Sequence, residues 1–154
     1  MQLETPLFGL LDINEQEIIH FPSGIPGFED VRKFIFIHPA EDIPFHYMQC
    51  VDQPELCLVV TDPFLFYRDY EFELSETAQA ELQVEEAGDV AVWSIVSIKD
   101  KLRDATLNLL APVVVNTRKR LGKQVVLHDT PYTTKHRLVR ETVSQLNDNG
   151  GEGQ

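Results

Sequence analysis

Short apolar runs separated by turn-forming residues dominate the chain. LFGLLDI (7–13), QEIIHF (16–21), KFIFIH (33–38), FHYMQCV (45–51), ELCLVVTD (55–62), DVAVWSIVSI (89–98), ATLNLL (105–110), VVVNT (113–117) and KQVVLHD (123–129) are rich in β-branched or aromatic residues and bounded by Gly, Pro, Asn or Asp. That composition marks strands. Runs at this spacing predict a mainly β, antiparallel, partly open barrel-like single domain, not alternating βαβ units. In 55–62, Leu56, Leu58 and Val60 on one face oppose Cys57 and Val59 on the other, so this strand needs cover on both sides. One helix is predicted over SETAQAELQV (75–84), where Ser75 can cap the first amides and Glu76 sits at the positive end of the dipole. GFEDVRKF (27–34) predicts a second, single helical turn. The polar, glycine-rich QLNDNGGEGQ (145–154) has too little to bury to offset the entropy of ordering it. An ordered domain is therefore expected over residues 1–142 and a disordered tail over 143–154.

Composition narrows the function classes. A chain of 154 residues with 43% apolar content can close one core. It has no run of about 18 apolar residues, so no membrane span is expected. MQLETPLFGLLD carries an acidic residue early and no basic stretch ahead of an apolar one, which argues against a secretory signal and for the cytoplasm. The net charge of −12 is unevenly placed: residues 1–90 hold nineteen acidic and three basic side chains, residues 91–154 six and ten. An acidic surface of that extent opposes direct contact with nucleic acid and suits a basic protein partner.

Two stretches stand out. HFPSGIPGFED (20–30) places proline second and glycine fourth in Phe21–Gly24, as a type I turn prefers. It places proline second and glycine third in Ile25–Phe28, as type II requires. Two turns in series make a structural corner, with Phe21, Ile25 and Phe28 as its packing. No GxxxxGK[ST] follows and no lysine or arginine lies within it, which argues against a phosphate loop. TDPFLFYRDYEFEL (61–74) concentrates Phe64, Phe66, Tyr67, Tyr70 and Phe72 among Asp62, Asp69, Glu71 and Glu73. Rings give contact area at low entropy cost, and adjacent carboxylates suit a basic, partly apolar partner. The competing reading is that alternate rings face the core while the acids face water.

Catalytic and metal-ligating patterns are weak. His20, His38, His46, His128 and His136 form no HxH or HExxH, and GxSxG and glycine-rich nucleotide fingerprints are missing. No cofactor or metal is expected. If residues 52–55 closed a tight hairpin, Cys50 would oppose Cys57, raising the question of a regulatory disulfide that cytosolic reduction disfavours. TRKRLGK (117–123), the only basic cluster, reads as a loop between two strands and, alternatively, as an RNA contact.

HFPSGIPGFED, VVTDPFLFYRDYEFEL, LNLLAPVVVNTRKRLGKQVVL and YTTKH resemble, in order and spacing, signature stretches of the FliW family of flagellar assembly factors, over residues 3–138 or so. The extension beyond Leu138 and the cysteine pair depart from the family pattern. The resemblance implies a non-enzymatic, barrel-like cytoplasmic protein. It implies flagellin as a partner before export and, when flagellin is scarce, the RNA-binding translational repressor CsrA, each partner displacing the other. Combining the motif with the ring and acid chemistry points to Phe64, Phe66, Asp69, Tyr70 and Glu71 as contact residues, with Pro26 and Phe28 as a supporting corner. Two other classes stay open at this point. One is a hydrolase or metal-dependent small-molecule enzyme pairing Asp62 with a histidine; the other is a nucleic-acid-binding barrel using 117–123.

Overall fold

The structure, a computed structural model, describes residues 1–138. The expected domain limit at 142 and the expected tail over 143–154 lie outside the described residues. Its elements run β1 (Gln2–Thr5), β2 (Gly9–Asp12), β3 (Ile19–His20), β4 (Lys33–Ile37), β5 (Phe45–Cys50), β6 (Cys57–Thr61), α1 (Glu76–Glu81), β7 (Val90–Ser97), β8 (Thr106–Leu107), β9 (Val113–Asn116), β10 (Leu121–Gln124) and β11 (His136–Arg137).

Antiparallel pairing links β7, β6, β5, β4 and β3 in turn, and β3 meets β10 through one parallel pair, His20 with Leu121. β10 pairs with β9, and β9 pairs with β7 from Val90↔Asn116 to Trp93↔Val113, which closes a barrel. The expected mainly β, barrel-like fold is therefore what the chain adopts. The long β7 makes closure possible, because its first half pairs with β9 while Val96 and Ser97 pair with β8, from which β11 extends. β1 and β2 form a separate hairpin seated on β4 through Leu3, Ile13, Ile18 and Ile35.

Both sheet faces are covered, as the doubly apolar strands require. The barrel interior holds Phe21, Phe34, Met48, Cys50, Val60 and Val113, whereas Val59, Val96, Leu107, Leu109 and Tyr70 build a second core outside it. β9 is buried at all four positions. Among the described residues no helix is long and apolar enough to cross a membrane.

Several local expectations shift. The helix expected over 75–84 is the shorter α1, with Ser75 Oγ accepting from the Ala78 amide at 3.1 Å. No helical turn forms over 27–34; turns lead straight into β4. Of the strand expected over 16–21 only Ile19–His20 is regular, and Gln16 and Glu17 belong to a 3₁₀ turn capped by Asn14. β1 and β11 had no strand signal of their own. The run expected to reach Asp129 is regular only to Gln124, yet the register with β9 continues: the Val125 amide donates to Pro112 O and the Leu127 amide to Leu110 O, both at 2.9 Å. Pro112 has no N–H to return, so the ladder there is one-sided.

The hairpin between β5 and β6 corrects the cysteine register. Gln49, not Cys50, faces Cys57, and the Gln49 amide group donates to Pro54 O at 2.8 Å, holding the turn one residue off the simple count. Side chains alternate faces along a strand, so that slip sends Cys50 into the barrel and leaves Cys57 on the other face. Both thiols are free, and burial pushes each above its ordinary pKa. The Cys50–Cys57 disulfide has no geometric basis.

Candidate functional site: an acidic aromatic ridge

The corner at 20–30 folds as its prolines and glycines dictate. The Gly24 amide donates to Phe21 O at 2.8 Å and the Phe28 amide to Ile25 O at 2.6 Å, with Gly27 at φ +88°, the left-handed geometry of a type II turn. Gly24, at φ +69°, lies so close to Glu29 that an added Cβ would sit 2.5 Å from its carbonyl oxygen. Phe21 is fully buried against Phe34 at 5.1 Å. The tip of its ring lies against Gly122, where an added Cβ would sit 2.5 Å from Phe21 Cζ. Phe28 departs from expectation: it is 51% exposed and does not pack the corner. Pro26 is exposed beside it.

The segment after β6 begins with a 3₁₀ turn, Pro63–Leu65, because the Asp62 carboxylate accepts from the Phe64 amide at 2.9 Å. The same cap occupies the carboxylate proposed for an Asp62-based enzyme. The turn lifts Phe64 and Leu65 into solvent at 41% and 62% exposure. Phe66 is half-buried against the outer core, and Asp69 and Glu71 are exposed. Tyr70 is a correction. Only 3% exposed, it packs among Phe64, Phe72 and Tyr132, and its hydroxyl donates to Leu109 O at 2.8 Å. Burial, with Tyr132 beside it, pushes the phenol well above its ordinary pKa, so it remains a donor. Tyr70 supports the ridge from beneath, with only its edge reaching the grooves on either side. Tyr132 assists, its hydroxyl accepting from the Glu71 amide at 3.1 Å.

Grooves flank this ridge. One of about 500 Å³ is lined by Phe64, Glu71, Phe72, Val84, Glu85 and Glu86. A smaller one of about 350 Å³ runs by Leu65, Phe66, Arg68, Asp69 and Tyr132. Leu65, Glu85 and Glu86 carry no sequence signal for the site. Glu86 reaches it because its amide donates to the buried Asp89 carboxylate at 3.1 Å, which brings the residues after α1 back to the barrel wall. The ridge thus joins exposed apolar surface to carboxylates on both sides, a surface suited to a cationic, partly apolar partner. Pro26 and Phe28 sit on the separate corner, which reaches α1 through Ser23 and Glu81 at 3.3 Å.

The other candidates resolve locally. His38 and His46 come together across β4 and β5 as stacked rings 4.0 Å apart, with Trp93 at 4.5 Å from His46. Burial and the neighbouring His38 hold His46 below its ordinary pKa. The strand register, which pairs Ile37 with Tyr47, is what brings these histidines side by side. Among the described residues no group of three or more His, Cys, Asp or Glu could hold a metal. In the basic cluster, Arg118 pairs with Asp89 at 3.5 Å and Lys123 with Glu81 at 3.2 Å. Two of its cations are thus partly spent on acids of this chain.

A family model described as FliW protein matches residues 2–138. A flagellar assembly factor FliW from Alkaliphilus metalliredigens is 44% identical over 142 residues, covering 92% of this chain and 88% of that protein. One from Geobacillus kaustophilus is 43% identical over 145 residues, covering 94% of this chain and all 100% of the relative. A crystal structure of the flagellar assembly factor FliW superposes with a TM-score of 0.87 at 39% identity, covering 93% of this chain and 100% of that one.

Proposed function

The chain belongs to the FliW family of flagellar assembly factors, and from that premise we propose that it works by binding, holding flagellin before export and, in exchange, the translational repressor CsrA. It acts in the cytoplasm and turns over no substrate. Flagellin that occupies it leaves CsrA free to repress the flagellin message; when flagellin is scarce, CsrA is held instead. The observation that carries this reading is the ridge. Phe64 and Leu65 are exposed beside Asp69 and Glu71 on a segment capped by Asp62, with Glu85 and Glu86 lining the same groove as Phe64 and Glu71 from the residues after α1. A basic RNA-binding protein is drawn to such a surface, and once docked it sits in a field that repels incoming RNA.

Of the residues first assigned to contact, Phe64, Phe66, Asp69 and Glu71 remain at the ridge, with Pro26 and Phe28 as a second exposed patch. Calorimetry with purified CsrA tests the assignment: Asp69→Lys with Glu71→Lys should weaken binding about tenfold or more. Stability should stay within about 0.5 kcal/mol, because both side chains are exposed. Unchanged affinity removes these carboxylates from the interface. Added flagellin should release bound CsrA, and simultaneous saturable binding of both would refute the exchange.

A further inference from the structure

β10 has an edge that the ridge does not explain. Among the described residues its outer side is paired only at Leu121, which meets His20; β3 ends there and the chain turns away into the corner. Past Gln124 the run keeps its register with the strand before it, through the bonds from Val125 to Pro112 and Leu127 to Leu110. Successive N–H and C=O groups of an extended strand point to opposite sides. The backbone groups of Gln124, Val126 and His128 therefore point away from β9. The Val126 and His128 amides have no acceptor among the described residues.

Across from this edge, Phe72, Glu73 and Leu74 run without regular structure, and their amides likewise have no acceptor among the described residues. A groove of about 780 Å³ separates the two segments. Its apolar lining includes Leu74 and Val126, the latter 47% exposed. Its charge comes from Glu71, Glu73, Glu81 and Asp129 against Lys123, which is paired with Glu81 at 3.2 Å. One open strand edge, apolar side chains and an acidic rim are the complement of one kind of occupant: an extended segment that alternates basic and apolar side chains.

We propose that residues 124–128 are a docking edge to which such a segment of a protein partner adds as a strand, lying between this run and residues 72–74. At about 3.3 Å per residue the edge accommodates about five residues of partner. Backbone pairing supplies affinity and the carboxylates select for cations. This deepens the binding reading above and rests on it.

The test is an NMR titration of the full chain with the heptapeptide Lys-Val-Lys-Val-Lys-Val-Lys, acetylated and amidated, beside the same peptide N-methylated on its three central residues. The expected result is movement of the Val126 and His128 amide signals with slowed exchange, and binding at least about tenfold weaker for the methylated peptide. Val126→Pro removes an outward donor and spares those of Val125 and Leu127, so the folded variant should bind as weakly as wild type binds the methylated peptide. Glu71→Lys with Glu73→Lys should abolish binding at low salt, and this pair decides the matter if the proline variant does not fold. No binding, equal binding of the methylated peptide, or shifts confined to segments other than 71–74 and 124–128 would overturn the docking edge. Capture of purified flagellin and CsrA is scored in parallel: retained capture without edge shifts sinks the edge alone, while failure of wild type to capture either sinks the functional reading.

Discussion

The corner at 20–30 and the ridge at 61–74 are both dense in aromatic residues, yet they bury them by different rules. In the corner, burial follows from backbone geometry: Phe21 lies inside because its own carbonyl closes the turn at Gly24 and its amide donates to Arg32 O at 2.7 Å. In the ridge, burial follows from a polar partner, since Tyr70 enters the outer core where Leu109 O accepts its hydroxyl. Phe28, expected to pack the corner, and Tyr70, expected at the contact surface, consequently take the opposite places, one in solvent and one inside. Aromatic content marks a segment as consequential. Hydrogen-bond closure decides which ring faces water.

The largest expected effect lies in the corner. Phe21→Ala removes a fully buried ring that touches Phe34 and covers Gly122, and should cost about 3–5 kcal/mol in urea unfolding. A loss below about 1 kcal/mol would show that the corner relaxes around the cavity and that its geometry is not rigid. Tyr70→Phe keeps the ring and strands a buried carbonyl, so the expected cost is about 1–3 kcal/mol. An unchanged urea midpoint would mean that ring packing alone holds the ridge, and the contrast between the two regions would collapse.

Much of this architecture is legible in the residues. Alternating or doubly apolar runs located the barrel strands, and Ser75 located the helix start. What escaped depended on partners distant in sequence. β1 and β11 are defined by pairing with β2 and β8, and the Cys50 register was moved by a glutamine side chain reaching a turn carbonyl. Leu65, Glu85 and Glu86 joined the site through caps at Asp62 and Asp89. Such caps are short-range chemistry with long-range consequences, and a linear pattern does not say which surface they will build.

A smaller pair of effects separates the exposed rings. Phe64→Ala and Phe28→Ala each remove a phenylalanine that is about half in water, so stability should change by about 1 kcal/mol or less in both. Their effects on partner binding should differ. Phe64 borders a groove shared with Glu71, Glu85 and Glu86, and its loss should weaken flagellin or CsrA binding more than the loss of Phe28. Equal losses in calorimetry would merge the corner and the ridge into one binding surface.

The smallest effect is a pH response that reaches the ridge and not the corner. His136 packs edge-on against Tyr67 at 5.5 Å, and its Nε2 accepts from the Thr133 amide at 2.8 Å, which it can do only while that nitrogen is unprotonated. Burial holds this imidazole below its ordinary value of 6.5. Because the folded value is the lower one, the stability it contributes is fully present above 6.5 and is lost as pH falls through the folded value. The turn bonds of the corner named above join backbone groups and have no such titration. Between pH 7.5 and 5.5, roughly one unit either side of the ordinary imidazole value, the amide signals of Tyr132, Thr133 and Glu71 should shift, while those of Gly24 and Phe28 in the corner stay in place. His136→Gln retains an acceptor without the proton equilibrium and should remove the shift. If the corner moved with the ridge in wild type, or if the glutamine variant responded as wild type does, the two regions would be one cooperative unit and their separate rules of burial would have no dynamic counterpart.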